Sequence, residues 1–340
     1  MSLTRREFTL NACAAALTGF GPGTPGPKAK RISLVLAPSN LGLRPTENGG
    51  QPGAWRAPQV LVDAGLARAL DAEQIIRLER PNYAFGPQAG TRIRNGQSIR
   101  AFSLQLAEKV RGILEKHGFP VIVGGDCSIL LGCLHGLRLG GGRGLVHIDG
   151  HSDFYQLGNE DTAKILGAVA GMDLALASGR GEPLLTHWRD VDMPLAADAD
   201  IIQVGEREAS ASNSISGYGR IPNTEITQFT VQNVLAEGIE AVARRVIVKL
   251  EIRKLDSVWL HVDLDVLDQT VMPAVDSPGS PGLTYAQLAG FVCALCGSGR
   301  VAGIDFAIYD PDRDPFARYA RPLVQCLADA VCVRPIAHAV

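Results

Sequence analysis

The stretch HIDGHSDF, residues 147–154, sets Asp149, His151 and Asp153 on alternate positions directly behind the apolar run GLV. On an extended backbone the side-chain period is two, so these three groups would crowd one face. Carboxylates that close repel one another unless protons or cations compensate them, and the spacing therefore points to a metal. Two other stretches share this character, apolar first and acidic at the end. VIVGGDC runs into Asp126 and Cys127, and VWLHVDLDVLD runs into Asp263, Asp265 and Asp268. Each has a plain reading alone: acidic residues at a strand end can cap the next helix, and GGDC can be a tight turn carrying a buried thiol. Together they deliver a thiol, an imidazole and several carboxylates, an amount of buried acid that is costly without cations. Oxygen-rich sets with some imidazole suit Mn²⁺ or a similar ion.

The elements that would position these residues follow a regular pattern. Strand-like apolar runs are RISLVLAP (31–38), QIIRLER (74–80), FPVIVGGD (119–126), GLVHIDGH (144–151), ADIIQVGE (199–206), SVWLHVDLDVL (257–267) and VAGIDFAIYD (301–310). Helical patterns cover 57–72, 98–118, 226–252, 284–297 and 316–332. Short continuous apolar strands separated by helices predict a three-layer α/β/α fold with a mostly parallel central sheet. In such sheets ligands bind outside the carboxyl ends of the strands, which is where the three acidic motifs fall.

Composition narrows the function. The chain has 340 residues, 46% of them hydrophobic, enough for a large core, and no internal repeat. A net charge of −2 gives no electrostatic case for nucleic-acid binding. No stretch approaches the roughly 20 apolar residues of a membrane span. Seven scattered cysteines do not suggest a disulfide scaffold, and Cys293 and Cys296 read as part of an apolar helix face. At the N-terminus, Arg5 and Arg6 precede Phe8 and a small-residue apolar run to Phe20, followed by the spacer GPGTPGPKAK. Residues 1–30 are thus expected to be a twin-arginine export signal and spacer, and 31–340 a single catalytic domain. The expected location is periplasmic, or cytoplasmic if the two arginines are incidental.

GGDCSILLG, HIDGHSDF and HVDLDVLDQTVMPAVDSPGSPGLT, in that order, resemble the three signature blocks of the ureohydrolase superfamily, the arginase and agmatinase family. SNLGLRPTENGGQPGAWRAPQVLVDAGL and YDPDRDPFARYARPLVQCL resemble its N- and C-terminal segments, so the likeness spans about residues 31–335. The resemblance implies a centre of two Mn²⁺ ions and hydrolysis of a guanidino or related C–N bond in a small molecule. By motif, Asp149 and Asp263 would bridge the ions, Asp153 and Cys127 would complete one shell, and His151 and Asp265 the other. Two such ions can acidify a water between them to give a hydroxide that attacks a planar amidino carbon. Asp153 is then the expected catalytic proton carrier. The resemblance also implies a homotrimer or homohexamer.

The departures from the family pattern are specific. Cys127 stands where the family usually has His, a softer ligand that could admit Zn²⁺, Fe²⁺ or Co²⁺. Ala170 replaces the arginase shuttle histidine, Ile308 the guanidinium-binding glutamate, and Tyr155, the expected substrate-binding residue, an asparagine. The metal set is kept and the arginine-reading set is not. The expected substrate is therefore a guanidine, hydroxyguanidine, amidine or amide other than arginine. A non-catalytic metalloprotein of the same fold is the main alternative, and a deacetylase-like zinc amide hydrolase a lesser one.

Overall fold

A computed structural model describes residues 31–156, 166–208 and 221–332. The export-signal expectation falls on residues 1–30, outside the described residues. Eight strands form one sheet: β1 (Arg31–Ala37), β2 (Gln74–Arg77), β3 (Gly118–Gly124), β4 (Leu145–Ile148), β5 (Ile201–Val204), β6 (Thr227–Phe229), β7 (Val258–Asp263) and β8 (Val301–Ala307). Their order is β2-β1-β3-β8-β7-β4-β5-β6, and every neighbouring pair is parallel. The three-layer α/β/α expectation holds. β4, β7 and β8 are buried at every position, as strands covered on both faces must be, and this is why they read as unbroken apolar runs.

One group of helices packs Gly96–Leu114 against Ile129–Leu139, and another joins Tyr285–Gly297 to Ala320–Ala330 and Ile239–Ile252. All seven expected strands form. The eighth, β6, lies inside what the periodicity predicts as one helix over 226–252. Thr230 explains the difference, because it caps the helix Val231–Glu237 with a reciprocal Thr230–Asn233 capping box and so leaves Thr227–Phe229 free to pair with β5. Gly238, at φ 83°, then splits that helix from Ile239–Ile252.

The cysteine expectation needs one correction. Cys293 and Cys296 do lie on the buried face of Tyr285–Gly297, but Cys293 is also disulfide-bonded to Cys332, with Cα atoms 5.2 Å apart. Partners 39 residues apart carry no pairing signal in one sequence.

Candidate metal centre

Four central strands, β3, β8, β7 and β4, end side by side, and the acidic motifs leave the sheet at three of those ends. The residues of HIDGHSDF do converge, but not on an extended backbone. β4 stops at Ile148, and Asp153 sits at φ 43°, so residues 149–153 form a turn rather than an extended face. Convergence comes instead from side-chain to backbone bonds. Asp149 Oδ1 accepts His151 N–H at 2.6 Å, and Asp263 Oδ1 accepts Asp265 N–H at 2.7 Å. Each D-x-[HD] step thus folds its second side chain back beside the first. Cys127 follows a turn in which Gly125 is obligatory, because a Cβ there would run into the Ser39 carbonyl.

The six expected ligands come together. Cys127 Sγ donates to Asp263 Oδ2 at 2.8 Å, and ligand atoms of Cys127, Asp153 and Asp263 lie within 4.8 Å of one another. Asp149, His151 and Asp153 form a second such group, and His151 Nδ1 is 2.8 Å from Asp265 Oδ2. Tyr155, Ala170 and Ile308 are tied through their backbones to the neighbouring loops. Ile308 N–H donates to Gly125 O at 2.6 Å, Ala170 N–H to Gly42 O at 3.1 Å, and Tyr155 N–H to Gly171 O at 3.2 Å. Asp268 stays apart, accepting from Thr270 N–H and Gly282 N–H in its own loop.

The electrostatics expose how much negative charge is packed here. Burial, then Asp265, raises Asp149 to about 6. Burial and Asp149 push Asp153 well above the ordinary carboxylate range, and burial and Asp265 do the same to Asp263. Burial and then Asp263 raise the Cys127 thiol. Burial alone would lower His151, but Asp265 outweighs it and holds the imidazole at about 10. Asp149 Oδ2, fully buried, has no hydrogen-bond partner. The carboxylate and thiol shifts share two causes, burial first and then the repulsion of neighbouring carboxylates, and divalent cations relieve both. The donor set fits a metal pair on that test.

Reasoning from sequence missed several neighbours. His147 on β4 and His261 on β7 are paired across the sheet and stack with centroids 4.9 Å apart. Asp173 lies beneath both, 3.3 Å from His147 Nε2 and 3.4 Å from His261 Nε2. Both histidines share the odd-numbered parity of Asp149 and Asp263, which was the available signal. On the β5 side, Arg207 reaches to 4.0 Å from Asp265 Oδ1. Glu206, accepting from Gln228 at 3.0 Å, is raised to about 7 by burial and then by Glu208. No helix among the described residues is long and apolar enough to cross a membrane.

Comparison with known proteins agrees with this architecture. The model of the Arginase family matches residues 30–332. An arginase from Bacillus caldovelox is 29% identical over 273 residues, covering 76% of this chain and 83% of its own. A formimidoylglutamase from Nocardia farcinica is 25% identical over 311 residues, covering 88% and 86%. Among solved structures, the Bacillus caldovelox arginase superposes with a TM-score of 0.76 at 24% identity, covering 89% of this chain and 98% of that one. With the family model matching nearly all of the chain that the structure describes, the chain belongs to the arginase family.

Proposed function

We propose that this protein is a metal-dependent hydrolase of a C–N bond in a guanidino, hydroxyguanidino, amidino or amide compound, with a substrate that is neutral or weakly basic. The observation that carries the reading is a split one. Cys127, Asp149, His151, Asp153, Asp263 and Asp265 converge at the sheet edge, while Ile308 and Ala170, bonded through their backbones to Gly125 and Gly42, bring no charged or protonatable side chain. Among the relatives, formimidoylglutamase and a Streptomyces clavuligerus proclavaminate amidino hydrolase, the latter at TM-score 0.62, have names that extend the group beyond arginine.

In this reading Asp149 and Asp263 would serve both of two cations, with Cys127 and Asp153 completing the ligands of one, and His151 and Asp265 those of the other. Mn²⁺ suits the oxygen ligands, and Cys127 widens the choice to Zn²⁺, Fe²⁺ or Co²⁺. When bound, such a pair supplies charge compensation and acidifies water near neutral pH. The chain's own residues do the rest. Asp153, beside Cys127 and Asp263, would take on its non-ligating oxygen the proton given up by the attacking water and hand it to the departing nitrogen. Tyr155 lines the approach on the side of Gly171 and orients the substrate. Ile308 and Ala170 keep that wall apolar and dry, which raises the cost of admitting a full cation.

A panel of guanidines, hydroxyguanidines, amidines and amides, scored for urea or ammonia release by the metal-loaded protein, tests the reading. Turnover of one class, lost in Asp153→Asn, is expected. Two bound cations with no turnover of any class would favour the non-catalytic alternative.

A further inference from the structure

Behind the six residues of the proposed centre lies a second group that the hydrolase reading leaves unused. His261 is fully buried on β7. Its Nδ1 lies 2.7 Å from Asp305 Oδ2, and Asp305 Oδ1 accepts Trp259 Nε1–H at 2.6 Å. The ring is therefore pinned from behind. Its other nitrogen, Nε2, has no hydrogen-bond partner, nor has Asp173 Oδ2, 3.4 Å away. Cys127 closes the group: one ligand atom each from Cys127, Asp173 and His261 lies within 4.8 Å of the others, and all three residues are buried. His147 Nε2 steadies the remaining Asp173 oxygen at 3.3 Å.

An imidazole fixed by a carboxylate at one nitrogen and bare at the other is how metal-binding histidines are oriented. His261 Nε2 and Asp173 Oδ2 are buried without a hydrogen bond and face each other at 3.4 Å, so a proton on the ring or a cation held by both must join them. We propose that Cys127, Asp173 and His261 form a further cation site, deeper than the hydrolytic pair and sharing only Cys127 with it. One thiolate, one carboxylate and one imidazole suit Zn²⁺, Co²⁺ or Fe²⁺ better than Mn²⁺, with a fourth position open to water. The site stands whether or not the pair is hydrolytic.

The test uses the full-length protein, stripped by chelation and reloaded with Co²⁺, with cobalt per chain measured by mass spectrometry and the thiolate-to-cobalt band in the near ultraviolet. Asp173→Asn and His261→Gln should each carry one cobalt fewer than the unmodified protein and a weakened or shifted band. Asp265→Ala should also lose one cobalt but keep the band. Loss in Asp265→Ala alone would overturn the deeper site and leave the proposed pair standing, with His261 a protonated imidazole between Asp173 and Asp305. Loss in the other two alone would do the reverse. Should those variants fail to fold, anomalous diffraction from zinc-loaded crystals of the unmodified protein decides. A peak bonded to both Cys127 Sγ and His261 Nε2 is expected, and none at His261 Nε2 overturns the site.

Discussion

Replacing Ile308 tests the substrate reading most directly. Ile308 follows Ala307, the β8 partner of Asp263, and its backbone is tied to Gly125, two residues before Cys127. It is 3% exposed and sits at φ 78°, a rare conformation for a β-branched residue. A guanidinium brought against it finds no carboxylate. Asp305 is committed to Trp259 and His261, and Asp310 to the amides of Gly53 and Asp312. Each charge-assisted hydrogen bond forgone is worth about 1.5–3 kcal/mol. A bidentate pair forgone therefore costs about 3–6 kcal/mol, or roughly two to four powers of ten in kcat/KM at about 1.4 kcal/mol per decade. The unmodified protein should release urea from arginine or agmatine at least about a hundredfold less efficiently than product from its best neutral or weakly basic substrate. Ile308→Glu, which adds no β-branch at that φ, should raise the arginine rate, and Ala170→His should raise it further. The variant should also melt lower without ligand, since it buries a carboxylate beside Asp263. Steady-state urea release across both substrate classes decides the matter. Arginine turnover by the unmodified protein matching that of its best neutral substrate would refute the reasoning.

Asp149→Ala and Asp263→Ala should each cost both ions of the proposed pair, whereas Asp265→Ala should cost chiefly one; two pair ions retained in the Asp149 variant would show that this carboxylate does not bridge. Cys127→His should shift preference from Zn²⁺ or Co²⁺ towards Mn²⁺, read by competitive loading and metal analysis. Glu206 is raised from 4.5 to about 7, so its ionised form costs the folded state progressively from about pH 4.5 and fully above pH 7, up to about 3 kcal/mol at about 1.4 kcal/mol per pKa unit. Glu206→Gln should therefore stabilise the metal-stripped protein at pH 8 and leave it unchanged near pH 4, and denaturant melts showing the same gain at both pH values would reject Glu206 ionisation as the cause. We further propose that Arg5 and Arg6 direct export to the periplasm, where a disulfide such as Cys293–Cys332 persists; replacing both by Lys should retain the protein in the cytoplasm of a bacterial host, and unmodified protein absent from the periplasm would end the proposal.

Much of this site was legible because parallel sheets impose a simple rule. A strand buried on both faces must be apolar throughout, so the first run of polar residues marks its carboxyl end. GGDC, HIDGHSD and HVDLD each announce that transition, and they end neighbouring or near-neighbouring strands. What the sequence hid was pairing between segments. The register that sets His147 against His261 depends on β4 and β7 being adjacent, although more than a hundred residues separate them in the chain. Asp173 begins a five-residue helix, Asp173–Ala177, and no local pattern says that its carboxylate enters the cluster. The mistaken helix over Thr227–Phe229 has the opposite origin. A strand of three residues is too short to show a period, and its sheet pairing overrode the helical pattern around it.

Two strained backbone positions bear on specificity. Asp153 and Ile308, at φ 43° and 78°, are non-glycine residues in the left-handed region on two sides of the same cluster. Such conformations are costly and persist where the surroundings over-determine them, commonly around functional sites. Asp153 is held by Ala175 N–H donating to its carbonyl at 3.3 Å, and Ile308 by its own N–H on Gly125. For Asp153 the strain aims a carboxyl at the centre. For Ile308 it aims a side chain with no polar atom, and a β-branched one, in which the strain is greatest. In the proposed reading the apolar side chain at 308 limits what the site accepts. On that reading, recognition is altered at Ile308 while the main chain there keeps the left-handed conformation, which is why the substrate, and not the chemistry, is where this protein is expected to part from arginase.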